Sequence, residues 1–154
     1  MSNEEGRKIV LRNRKARHEY HILDTWEAGL VLQGTEVKAL RAGRANLQDS
    51  FARLFNGELW LHNLHISPYE EAGTHFNHDP LRTRKLLLRR QQLRKLVGQV
   101  EQKGLTLVPL DLYFSRGIAK VTIALVKGKK LHDKRQDLRE KAVERDMERA
   151  YKVS

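Results

Sequence analysis

Residues 51–64 alternate around the dipeptide Asn56-Gly57, and that pair constrains the fold more than any other feature of the chain. Both residues tolerate positive φ, so they can close a two-residue turn whose twist suits the strands on either side. Leu59 and Leu61, with Phe51, Arg53 and Phe55 as hairpin partners, show period two, and Trp60 is expected on the opposite face. A half-buried antiparallel sheet follows. A second hairpin is expected from 105–114 and 118–126 across Ser115-Arg116-Gly117, where Val121, Ile123 and Leu125 alternate with Thr122 and Ala124. Pro109 must then occupy an edge or a bulge. Residues 18–31 read as two further strands joined near Thr25.

Two helices interrupt this pattern. In GTEVKALRAG, Thr35 can cap, Glu36 suits the positive end, Gly43 can terminate, and Val37 and Leu40 face inward. Lys38 and Arg41, three apart, then share an outer face. The second helix is predicted over 89–103 from the spacing of Leu93, Leu96, Val97 and Val100, with Gly104 ending it. Gly98 costs that helix about 1 kcal/mol relative to alanine, so it must rely on packing. The chain has 154 residues, enough for one core. The expected fold is mainly β with α: a small antiparallel OB-like barrel with two or three helices over 1–126 and a basic C-terminal tail over 127–154. That last segment holds ten basic and six acidic residues and only eight apolar ones, too few for a core of its own. It is expected to be disordered until a partner supplies a surface.

Charge narrows the function. Thirty Lys and Arg against nineteen Asp and Glu leave a net charge of +11, and 26 of those 30 cations fall in 7–17, 38–44, 82–95 and 127–154. The first and third of these segments contain no acid and interleave cations with apolar residues, as in Arg84-Lys85-Leu86-Leu87-Leu88-Arg89-Arg90. Such a pattern holds charge on a packed element and suits a polyanion. Binding of RNA rather than DNA is expected, because no helix carries an array of Asn, Gln and Arg for reading a groove. Arg14, Lys15, Arg17, His18, Lys38, Arg41, Arg44, Arg82, Arg84 and Lys85 are the candidate cations and polar contacts.

Other chemistries find little support. With no cysteine, thiol catalysis, disulfides and Cys-ligated metals are excluded. His62, His65, His75 and His78 form two HxxH pairs beside Asp79, but residues three apart on a strand point to opposite faces, so no metal is assigned. Ser50, Ser67 and Ser115 lack the strained turn of a nucleophile, Glu70-Glu71 has no visible partner, and GKKLHDKR lacks the first glycine and the hydroxyl of a phosphate loop. No catalytic residue and no cofactor are expected. No apolar run reaches the roughly 18 residues of a spanning helix, and a soluble cytoplasmic protein without membrane contact is expected.

Four blocks carry a resemblance: KARHEYHI at 15–22, EAGLVLQGTEVKALRAGRANL at 27–47, NHDPLRTRKLLL at 77–88 and KGKKLHDKR at 127–135. Together they resemble the small protein B family, the SsrA-binding proteins of bacteria. The resemblance implies binding to the tRNA-like domain of transfer-messenger RNA, entry with it into ribosomes stalled without a stop codon, and elongation factor Tu on the same charged RNA. It places RNA-contacting or site-shaping roles on Asn13, Glu27 and Leu87. It also implies that the tail, through Gly128, Lys129, Lys130, His132, Asp133, Lys134 and Arg135, meets small-subunit RNA at the decoding centre and becomes helical there. Glu27 is expected to organise cations or to accept from a base or 2′-hydroxyl, since a carboxylate repels phosphate. A general or ribosomal RNA-binding barrel without this specificity, and a nuclease, are the alternatives that RNA-binding and cleavage assays separate.

Overall fold

The computed structural model describes residues 7–73, 75–100 and 104–128. Their elements run β1 (Arg7–Arg12), α1 (Arg14–Glu19), β2 (Tyr20–Leu30), α2 (Gly34–Arg41), β3 (Ala45–Asn46), β4 (Phe51–Phe55), β5 (Glu58–His62), β6 (His65–Ile66), β7 (Arg84–Leu87), α3 (Arg90–Val100), β8 (Leu105–Ser115) and β9 (Ile118–Gly128). Seven strands form one antiparallel sheet in the order β1-β8-β4-β5-β7-β2-β9, and β8 also pairs with β9, so six of them close into a ring. β1 adds to β8 from outside the ring. Closure leaves few strand edges open to other chains. The expected mainly β, OB-like barrel is what forms, with six strands in the ring where an OB fold has five.

Both hairpins form at the expected turns. Asn56 and Gly57 have φ of 52° and 74°, and Arg116 and Gly117 have 52° and 77°, the left-handed geometry of a two-residue hairpin turn. The faces of the first hairpin differ from the sequence reading. Ala52 pairs with Leu61 and Leu54 with Leu59, and these point into the barrel, while Phe51, Arg53 and Phe55 lie outside with Trp60. The two-residue turn sets Phe55 opposite Glu58, and cross-strand partners share a face, so the bulky phenylalanines are placed opposite to what their size suggested.

Residues 18–31 also depart from expectation. Instead of two strands joined at Thr25, His18 and Glu19 end helix α1, and β2 is one eleven-residue strand whose irregularity falls at Ile22/Asp24. Thr25 pairs with Ala124 inside the ladder. Pro109 does sit at a bulge, where β8 changes register against β9. The extra residue switches faces: Leu107, Leu112 and Phe114 enter the main core, whereas Val108 and Leu110 turn outward to Ala16, Ala124 and Val126. This small second cluster seats α1 on the outside of the barrel.

Helix α2 starts after Gln33, not at a Thr35 cap. The Glu36 carboxylate accepts from the Gln33 backbone N–H at 2.7 Å, and the Thr35 hydroxyl meets His78 Nδ1 at 2.8 Å. Ala39 and Leu40 are its buried apolar residues, with Val37 half-buried, and Gly43 at φ 72° follows its end. In α3 only Leu96 is fully buried, with Leu93 and Val100 packed at the core's edge. Among the described residues no helix is long and apolar enough to cross a membrane.

Candidate nucleic-acid interface

Helix α1 carries the first group of expected contacts. Asn13 is buried: its Oδ1 accepts from the Ala16 N–H at 3.2 Å and its Nδ2 donates to the Pro109 carbonyl at 2.9 Å. Its side chain therefore caps α1 and ties it to the β8 bulge. Arg14, Lys15, Arg17 and His18 are exposed on the helix it holds. Arg17 reaches Asp111 at 3.3 Å, and Lys15 lies 4.0 Å from Glu19 and 3.6 Å from Asp49. Exposed pairs of this kind are worth about 0–1 kcal/mol, so the cations can exchange carboxylates for phosphates.

Beside α1, the strand registers assemble a row on the outer face: Asp111 opposite Thr122, and Thr122 opposite Glu27. Glu27 accepts from Arg7 at 2.9 Å and from the buried Tyr113 hydroxyl. The Arg7 guanidinium also lies 4.7 Å from the Tyr113 ring centroid. Burial, with the hydrogen bond to Glu27, pushes the Tyr113 phenol up to about 12, so it donates to Glu27 throughout the physiological range. Glu27 is thus held by two donors, one of them the Arg7 cation. Gly29 pairs with Leu87, which puts Leu87 on the same outer face; it is 51% exposed. The apolar residues of the 84–90 run were expected to pack, but alternation along β7 buries Arg84 and Leu86 and turns Lys85 and Leu87 outward. Lys85 Nζ lies 3.0 Å from Glu58.

Arg84 is the clearest correction among the candidate cations. It is fully buried, donates to Glu36, and donates to the carbonyls of Leu64 at 2.5 Å and Pro80 at 3.3 Å. No phosphate can reach it. Arg82, partly exposed, also donates to Glu36, at 2.6 Å, and to the Val31 carbonyl at 3.3 Å. Burial alone would push the Glu36 carboxyl up, but hydrogen bonds from Arg82, the Gln33 N–H and Arg84 together hold it below its ordinary value. Burial lowers Arg84, with Glu36 opposing. This buried carboxylate fixes the 80–84 segment and so aims β7. Sequence reasoning saw in it only a helix-end charge; the available signal was an acid at the start of α2 and two arginines in an otherwise acid-free run.

The cations of α2 belong to a separate patch at the barrel end. Lys38 lies 5.3 Å from the Tyr69 ring centroid and Arg41 5.5 Å from that of Phe114. Arg44, just beyond the helix, approaches Glu70 at 3.9 Å, giving that acid the partner the sequence did not reveal. The histidines part company: His62 stacks on Phe51, His78 is buried with Nε2 at 2.9 Å from the Ile66 carbonyl, and His75 is exposed. Among the described residues no cluster of three or more His, Asp or Glu is placed to hold a metal. Gly128 is the last residue of β9, past the boundary expected at Val126, while Lys129, Lys130, His132, Asp133, Lys134 and Arg135 lie outside the described residues.

Comparison with known proteins gives one answer. The family model described as SmpB protein matches residues 10–153. An SsrA-binding protein of Nostoc punctiforme is 62% identical over 148 residues, covering 96% of each chain. One from Bacillus cytotoxicus is 58% identical over 145 residues, covering 94% of this chain and 93% of its own. A solved chain from work described as "tmRNA-SmpB: a journey to the center of the bacterial ribosome" superposes with a TM-score of 0.66 at 60% identity, over 79% of this chain and 85% of that one. With a family match across nearly its whole length and relatives at this identity, the chain belongs to the SmpB family.

Proposed function

We propose that this protein binds the tRNA-like domain of transfer-messenger RNA and serves in trans-translation, the rescue of ribosomes stalled on messages without a stop codon. The observation that carries the reading is the identity of about 60% with SsrA-binding proteins over nearly the full chain. The geometry is consistent with it. Arg14, Lys15, Arg17 and His18 on α1 border an outer barrel face that bears Glu27, Lys85 and Leu87, so cations for phosphates surround a polar acceptor and an exposed apolar contact. That is the mixture suited to a folded RNA loop rather than a uniform duplex.

Two parts of the chain have separate roles. Residues 1–126 hold the RNA, and the 127–154 tail, through Gly128 to Arg135, enters the decoding centre and the empty message channel. Elongation factor Tu accompanies the same charged RNA, and the protein acts by binding, without a catalytic residue of its own, in the compartment where ribosomes work. The test is affinity for the tRNA-like domain against ordinary tRNA and a plain hairpin at matched salt. Leu87→Asp is a surface change, so the protein should stay folded and lose affinity for the tRNA-like domain. Lys85→Ala should lower the salt slope by roughly 0.7–0.9 log units, one phosphate's share. Equal affinity for all three RNAs would mean a general RNA-binding barrel, and cleavage of the RNA in magnesium would mean a nuclease.

A further inference from the structure

The outer face of the β4–β5–β7 corner bears a set of side chains that, Lys85 apart, the α1 and β2 contacts leave unused. Ala52, Leu59, Leu61 and Leu86 fill the barrel from inside, so the residues alternating with them point outward. In register across three strands, Arg53 stands opposite Trp60 and Trp60 opposite Lys85. One rung away, Phe51 stacks on His62 with ring centroids 5.1 Å apart and planes at 15°, and the Arg53 guanidinium lies 5.5 Å from the Phe51 centroid. On the rung beyond Trp60, Phe55 is 64% exposed. Cross-strand aromatic pairing stabilises many sheets, but it requires neither a cation on each side of the indole nor a phenylalanine left in water.

The chemistry of this face is that of a stacking platform: flat rings for bases, flanked by cations for the phosphates between them. Glu58, on the Phe55 rung, is neutralised by Lys85 at 3.0 Å, and the chain's net charge of +11 favours a polyanion. The platform is continuous with the interface, since Lys85 and Leu87 share the outer side of β7 and Leu87 pairs with Gly29. We propose that this face takes unpaired nucleotides of RNA, with bases stacking on Trp60 and Phe55 and phosphates meeting Arg53 and Lys85. This deepens the RNA-binding reading by naming the RNA element recognised.

Tryptophan emission tests it directly, because Trp26 is buried in the core and Trp60, the other of the two tryptophans, is on the platform. Full-length protein is titrated with oligouridylate of about ten nucleotides, within the range one small barrel covers. Quenching is expected in the native protein and its loss in Trp60→Phe, whose remaining signal comes from Trp26. Trp60→Ala should weaken oligouridylate binding roughly 5- to 150-fold, the share of one stacked base, with an unchanged salt slope. Arg53→Ala should lower that slope by roughly 0.7 log units. If Trp60→Ala fails to fold, the quenching comparison with Trp60→Phe still decides. Absent quenching, or native affinity in folded Trp60→Ala, overturns the proposal. So does a concentration-dependent dimer that Trp60→Ala abolishes, which would make the face a self-interface. Binding of the tRNA-like domain is measured alongside: if it persists while oligouridylate leaves Trp60 unquenched, the platform alone is wrong, and if it is absent while quenching occurs, the transfer-messenger RNA reading is wrong and the platform stands.

Discussion

A carboxylate with no exposed surface must be compensated inside the protein, and at Glu36 the compensation comes from Arg82, Arg84 and the Gln33 N–H. Glu36→Gln keeps the shape but leaves the buried Arg84 without its counter-charge, which should cost about 3–5 kcal/mol in urea unfolding at neutral pH. The same group sets a pH dependence. Because its folded value lies below the ordinary 4.5, its contribution is fully present above that value and is lost as pH falls through the folded value. Native protein should therefore lose stability in that acid window, and Glu36→Gln should lose less. None of this was legible locally. Glu36, Arg82 and Arg84 are 46 and 48 residues apart in the chain, and an arginine in a basic run reads as a surface cation until a buried acid is found opposite it. At Glu27, expected to organise cations or to accept from a base or 2′-hydroxyl, the structure shows one cation, Arg7.

Among elements, the two hairpins were readable because their turns need positive φ, and Asn56-Gly57 and Arg116-Gly117 supply it. Helix α1 was not. Its six residues bury only Ala16, so no apolar period announces it, and its stability depends on Asn13 and on the outward turn of Val108 and Leu110 beside the Pro109 bulge. Asn13→Ala removes both the cap and the bond to the Pro109 carbonyl. A cost of about 1–2 kcal/mol is expected. Amide exchange should speed up across α1 and leave β8–β9 protected. Affinity for the tRNA-like domain should fall with it, since Arg14, Lys15, Arg17 and His18 are presented by that helix. An Asn13→Ala protein with native exchange in α1 would show that the packing of Ala16 alone holds the helix.

For the whole molecule, every strand of the ring lies before residue 129, so a chain ending at Lys130 should keep its thermal midpoint within roughly 2–4 °C, the equivalent of about 1 kcal/mol at this size. It should also keep its affinity for the tRNA-like domain and fail to support alanine transfer on ribosomes stalled without a stop codon. Full tagging by the truncated protein would remove the decoding role from His132, Asp133, Lys134 and Arg135, and unfolding would show that the tail supports the barrel. Charge, the absence of cysteine, the hairpin turns and the four family blocks are properties of the chain read in order, so the mainly β fold, the RNA partner and the candidate segments followed from sequence alone. Which side of each strand faces out was decided only by closure. In a ladder of period two a single bulge or a two-residue turn reverses every later side chain, and the six-stranded ring, closed through β8 and β9, turned Phe55 and Leu87 to solvent, left Trp60 half-buried on the outer face, and drew Arg84 inside to Glu36.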